Sequence, residues 1–360
     1  KTKMNLTKQF FKYVSQNILG MIGFSCYVLA DSYFISIAKG ADGLTALNLV
    51  MPLYSIIFSI GEMIGVGSAI RYAISKIKKD ADADDYFWNA LIWCILSSML
   101  FVFAGIFFSA DIMRVLGADE HIVAVGNNYT KIFMCFAPMF MCNYVTNAFV
   151  RNDGAPGIAM SATLFSSLFN IVFDYILMFP MNLGMEGAAL ATALSPIIGM
   201  GICSIHFFSK KSSVRLVVCK PSVRKLVAGS QLGVSAFVGE MSSAVITLAF
   251  NFVILKLAGN VGVAAYGVVA NIAIVTTAVF NGVAQGSQPL ISSCFGRGDK
   301  DGCTQLKRMG YTTAFVLAAV MYSILFIFAG QFVAVFNSEG SEMLRLYATE
   351  GVKLYFIGIF

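Results

Sequence analysis

GADGLTAL, residues Gly40 to Leu47, recurs as GNVGVAAY, Gly259 to Tyr266, at an offset of 219 residues. At the same offset Gly67-Ser68 recurs as Gly286-Ser287, and Asp80 and Asp82 recur as Asp299 and Asp301. TKIF from Thr130 is echoed by VKLY from Val352, at an offset of 222. Ordered similarity at one period marks a repeated architecture. The repeated material is apolar: 58% of the 360 residues are hydrophobic, only 12% are charged, and mean hydropathy is +0.77. A soluble chain carries about 25% charge, so a soluble enzyme and a disordered chain are both excluded. The apolar residues fall in runs of about 20, long enough to cross about 30 Å of hydrocarbon. A transmembrane barrel would alternate apolar and polar residues over segments of about ten, and no such alternation is present.

Ten spans are predicted, over 13–37, 45–70, 87–109, 123–149, 157–180, 185–208, 231–256, 263–292, 311–336 and 346–360. Basic residues mark cytoplasmic loops. On this layout 19 of the 25 lysines and arginines, Arg151 among them, fall on the side of the N-terminus, against four on the other. The net charge of +6 therefore reports topology, with the N-terminus cytoplasmic, and not nucleic-acid binding. Six spans separate the repeat copies, so both have one orientation and are related by an axis along the membrane normal. Parallel repeats of this sort are a transporter signature, with the substrate path between the halves.

The expected fold is thus an all-α polytopic membrane protein of two lobes. Residues 1–208 form the N-lobe, 209–228 a cytoplasmic linker with a short amphipathic piece on the membrane face, and 229–360 the C-lobe. The chain ends on GVKLYFIGIF, within an apolar run, which reads as a C-lobe cut inside its tenth span-level helix. No signal-peptide cleavage pattern precedes the first apolar stretch, so that stretch is expected to remain as a span. The eight cysteines show neither CxxC spacing nor clustering with His121 and His206. Most lie in apolar runs, where a thiol packs as a small hydrophobe, and neither disulfides nor a cysteine-histidine metal site is expected.

Four acids lie deep within spans: Asp31, Glu62, Asp174 and Glu240. Charges at the bilayer centre cost about 2.5–3.5 kcal/mol even on the lenient insertion scale, so they face a bundle interior or wet cavity and mark ion or substrate routes. Gln16, Gly20, Gly23, Tyr27 and Asp31 follow at spacings of three and four, which makes one polar face of the first span. Asn170 and Asp174 stand one turn apart on the fifth. Together Asp31, Asp174, Asn170 and Tyr27 form a candidate site for Na⁺ or a shared proton, since two adjacent carboxylates cannot both stay ionised cheaply. Glu240 and Asn251, three turns apart, and Glu62 in SIGEMIGVGSAI are candidates for a substrate or second cation site. The 18 methionines and 32 phenylalanines suit an adaptable cavity. Pro52, Pro138 and Pro196 fall within spans and predict kinks.

VLADSYFISIAKG, IMRVLGAD, SLFNIVFDYILMF followed by LGMEGAALATALS, GVSAFVGEMSSAV, GVAAYGVVANIA and VAQGSQPLISSCFGRGD, in that order, resemble the multidrug and toxic compound extrusion (MATE) family, in its branch of bacterial drug and cation antiporters. The resemblance implies two six-helix lobes. It also implies an N-lobe cation site on Asp31, Asn170, Asp174 and Thr192, with Tyr27 nearby and Na⁺ as the metal those four could hold. Glu240 would be the seventh-helix carboxylate of members with a C-lobe cation site. Many relatives carry a proline where this chain reads SQNILG, so a proline-driven bend in the first helix is not expected. The function implied is secondary active efflux of organic cations or amphipathic drugs in exchange for H⁺ or Na⁺. The expected protein is a monomer in the plasma membrane with no cofactor beyond the coupling ion. Two alternatives are a flippase for lipid-linked oligosaccharides, which favours a more basic cavity, and an intramembrane enzyme, for which no catalytic motif is present.

Overall fold

The computed structural model describes residues 6–336 and 342–359, except for the side chains at 41, 251, 252, 255, 259–261, 263, 264, 335 and 336. The described residues are almost wholly helical, with no strand among them. Eight helices are long and apolar enough to cross a membrane: Leu6–Gly40, Asp42–Lys78, Asp85–Val115, Pro156–Met178, Gly184–Phe207, Val223–Phe250, Ala265–Gly296 and Lys300–Ile327. A ninth span is the pair Glu120–Cys135 and Ala137–Asn152, bent by 46°. In chain order these are spans 1 to 9, with the bent pair as span 4. The short helix Ala329–Phe336 follows, then Glu342–Tyr355, which ends in a 3₁₀ turn over Phe356–Ile359.

The breaks have local causes. Gly40 joins spans 1 and 2 at φ 59° and ψ −142°, a conformation essentially closed to residues with a Cβ. Span 4 breaks at Phe136, and Pro138, in the first turn beyond it, has no N–H to continue the helical ladder. Pro52 and Pro196 lie inside otherwise continuous helices, as does Pro289, a position the sequence reading passed over.

Spans 1 to 6 pack into one bundle, and each contributes to its core, which includes Ile35, Leu47, Tyr72, Phe87, Tyr129, Phe133, Phe149, Met178 and Ala188. Packing of this kind, without a hydrophobic driving force between helices, is what holds membrane bundles together. On span 3 the opposite face leaves Leu100 70% and Phe107 64% exposed, a surface suited to lipid. A second core joins span 8 to the closing helices through Tyr266, Val269, Leu325, Val333, Ala348 and Val352.

The two bundles touch through spans 1 and 2 on one side and spans 7 and 8 on the other. Phe10 and Val14 of span 1 are buried against Val283, Leu290 and Cys294 of span 8. Gly67 lies against Gly229, and Gly233 lies against Met63, so closely that a Cβ on either would strike the facing backbone carbonyl. Further along span 7, Val245 and Leu248 are exposed.

The segment from 208 to 222 contains no amphipathic helix, which corrects the sequence expectation for the linker. It runs irregularly and span 7 begins at Val223. The cause is competition for its backbone donors, which find side-chain partners at the ends of spans 3 and 4. Ser213 N–H donates to Asp153 at 2.8 Å, Arg215 N–H to Asp84 at 3.3 Å and Ser222 N–H to Asn89 at 2.6 Å.

Candidate functional site

Asp31, Asn170, Asp174 and Thr192 converge inside the N-lobe, with 6%, 0%, 0% and 2% of their surface exposed. Small residues permit this. Gly20 and Gly23 lie against Met160, Thr163 and Leu164, so the polar face of span 1 packs directly on span 5. Asn170 bridges its neighbours: in the orientation that satisfies both ends of the amide, its oxygen accepts from Thr192 N at 3.2 Å and Oγ1 at 3.1 Å. Its nitrogen then donates to Asp174 Oδ2 at 3.0 Å. The Oδ1 atoms of Asp31 and Asp174 are buried and have no partner among the described residues. The two carboxylates are close enough to act on one another electrostatically, and both act on Tyr27.

Two further phenols border this site and were not anticipated. The hydroxyls of Tyr54 and Tyr129 meet at 2.5 Å, fully inside the N-lobe, and feel the charges of Asp31 and Asp174. The available signal was a tyrosine within each of two spans, whose hydroxyl must find a partner when buried.

Tyr27 also lines a cavity of about 150 Å³ between the lobes. Glu62, Asn143 and Arg151 border it from the N-lobe, and Glu240, Asn281 and Gln285 from the C-lobe. Glu62 and Glu240 sense each other's charge across it. The structure thus brings Glu62 and Glu240 together, whereas the side chain of Asn251 lies outside the described residues. Arg151 corrects the topology count, in which it was a loop residue. Span 4 continues to Asn152, and the long side chain turns inward, 5% exposed. Arg151 Nη1 donates to Gln285 Oε1 and, at 3.4 Å, to Asn17 Oδ1. Beside it Asn152 and Gln288 exchange hydrogen bonds of 3.1 and 2.8 Å across the lobe boundary.

A buried acidic pair beside a polar cavity, at the junction of two helical lobes, is the arrangement of a secondary transporter. Comparison with known proteins narrows the class. The family profile MatE matches residues 17–176 and 236–360, and the chain belongs to the MATE family of multi-pass membrane transporters. It is 27% identical over 327 residues to a multidrug export protein of Staphylococcus aureus (strain MRSA252), covering 90% of this chain and 70% of that one. It is 25% identical over 346 residues to the corresponding protein of Staphylococcus saprophyticus, covering 94% and 75%. Among solved structures, the outward-facing conformation of a multidrug resistance MATE transporter overlays with a TM-score of 0.91. That overlay has 21% identity and covers 99% of this chain and 80% of that one, a likeness of fold.

Proposed function

We propose that this MATE transporter exports organic cations or amphipathic drugs in exchange for H⁺ or Na⁺, by alternating access between its lobes. The observation that carries the reading is the pair of buried, unpartnered carboxylate oxygens on Asp31 and Asp174, separated from the inter-lobe cavity only by neighbours such as Tyr27. Asp31, Asn170, Asp174 and Thr192 are the coupling site, able to take Na⁺ or a shared proton. Glu62 and Glu240 hold the cationic substrate. The names of the staphylococcal relatives support the substrate class.

Residues 1–208 and 229–360 act as the two moving lobes, joined by 209–228. The protein is a monomer in the plasma membrane with its N-terminus in the cytoplasm, as the distribution of basic residues favours, 18 to 4 once the buried Arg151 is set aside. With that orientation the lobe contacts of Gly67 with Gly229 and of Gly233 with Met63 lie toward the cytoplasm. Coupling then requires only that ion and substrate stabilise different lobe arrangements, since each ligand shifts the equilibrium by its differential affinity for the two states.

The test is gradient-driven efflux of a fluorescent cation from proteoliposomes containing the full-length protein, with Na⁺ and H⁺ gradients imposed separately. Dissipation of neither gradient during export would sink the antiport reading. The second reading, a flippase for polar lipids, draws on Arg151 in the cavity wall. Two carboxylates face that single guanidinium, which favours cations. Transfer of a pyrophosphate-linked lipid across the same vesicles, without cation efflux, is the outcome that would reverse the choice.

A further inference from the structure

Gln285 on span 8 reaches across the lobe boundary and sits between two charged side chains of the other lobe. Its carbonyl oxygen accepts from Arg151, and its amide nitrogen donates to Glu62 Oε1 at 3.5 Å. The two charged groups sense each other only through space; no hydrogen bond joins them among the described residues. Arg151 is otherwise poorly provided for. Its remaining side-chain partner is the neutral Asn17 at 3.4 Å, and its Nε, buried, has no partner among the described residues. A buried guanidinium left with neutral partners is drawn to a nearby carboxylate, and Glu62 is the carboxylate whose field reaches it. Gln288, one turn on from Gln285 on the same face of span 8, is fixed to Asn152 by two hydrogen bonds, which sets the register that places Gln285 in the gap.

We propose that Gln285 is a positioning residue that determines specificity. By holding Arg151 on its carbonyl oxygen, it keeps Glu62 out of an ion pair with Arg151 and its charge available, together with Glu240, to a positively charged substrate. The inference rests on the cation-export reading above and adds to it the residue that maintains the cavity's negative character. Remove the spacer and Arg151 closes on Glu62, cancelling one of the two negative charges. The cavity then retains its shape and loses its preference for cations.

The experiment measures binding to the purified full-length protein of tetraphenylphosphonium, a lipophilic cation, and of triphenylphosphine oxide, a neutral relative. In Gln285→Leu, affinity for the cation should fall about fivefold, the scale of one partly hydrated Coulomb interaction, with affinity for the neutral probe unchanged. Adding Arg151→Gln to that variant should restore cation binding, because the competing cation is gone. Gln285→Glu, which still engages Arg151 and keeps it from Glu62, should bind the cation at least as well as the unmodified protein. It also serves if the leucine variant folds poorly. Equal losses for both probes, no rescue by Arg151→Gln, or a cation loss in Gln285→Glu as large as in Gln285→Leu would each overturn the proposal. Failure of the unmodified protein to bind tetraphenylphosphonium at all would instead overturn the cation-export reading.

Discussion

His206 Nε2 and Asp153 Oδ2 lie 2.8 Å apart with side chains 4% and 5% exposed, where the N-lobe meets the linker. The same carboxylate takes the N–H of Ser213 at 2.8 Å and the hydroxyls of Ser212 and Tyr72 at 3.2 and 3.3 Å. One side chain thus fastens the end of span 6, the second span and the first residues of the linker. Asp153→Ala leaves several buried donors unpaired at once and should destabilise the N-lobe by about 2–4 kcal/mol. A lower melting temperature in detergent, together with faster proteolysis within residues 209–222, is the expected outcome. Unchanged melting would show that water replaces the carboxylate without cost.

Asp31 and Asp174 form one electrostatic unit, and each leaves an oxygen without a partner. Asp31→Asn and Asp174→Asn should each reduce ion-driven efflux more than about tenfold. The double variant should be no worse than the poorer single one, because residues acting as a unit are non-additive. Substrate binding at equilibrium, measured without a gradient, should change by less than about threefold, since the pair lies behind the cavity and not in its lining. Additive losses, or a binding defect as large as the efflux defect, would argue that the two acids serve separate purposes.

Much of this was legible in the sequence because it is written in local periodicity. Spacings of three and four brought Asp31 and Tyr27 onto one face, and Asn170 and Asp174 onto another. Thr192 had no such signal; only the family resemblance singled it out. What escaped the reading depends on partners far apart in the chain. Arg151 and Gln285 are separated by 134 positions, and Tyr54 and Tyr129 by 75. An arginine at a predicted span boundary can snorkel to water or turn inward with equal ease, and only the packed neighbour decides. The linker misled for a related reason. Its six basic residues suggested a membrane-surface helix, whereas the acceptors that draw its N–H groups away from helical bonding belong to Asp84, Asn89 and Asp153.

Glu62 and Glu240 face one cavity from opposite lobes and sense each other's charge. A monovalent organic cation between them should lose about fivefold in affinity with Glu62→Gln or Glu240→Gln, and more with both, the scale of one Coulomb interaction in a partly hydrated site. The dissociation constant of a neutral amphipathic drug should stay the same in all three variants. Both values can be read from quenching of intrinsic fluorescence in detergent. Equal losses for charged and neutral drugs would assign these acids to the structure of the cavity and not to charge selection.

The contact between spans 2 and 7 depends on close backbone approach. A Cβ on Gly233 would strike the Met63 carbonyl oxygen, and one on Gly67 the carbonyl oxygen of Gly229; neither obstacle is the movable tip of a side chain. Gly239, further along the same span 7, has nothing within 4 Å of its would-be Cβ. Gly233→Leu should therefore wedge the lobes apart where they now meet, while Gly239→Leu should not. Neither change touches the core of spans 1 to 6, so the melting of that bundle should be little affected by either. Spin labels on spans 2 and 7 near the contact should report a separation larger by a few ångström in Gly233→Leu. Efflux should fall with it, because a transporter that cannot close one end cannot present its sites to alternate sides. If Gly233→Leu left both the label distance and efflux unchanged, contact between the lobes at this point would not be part of the transport cycle.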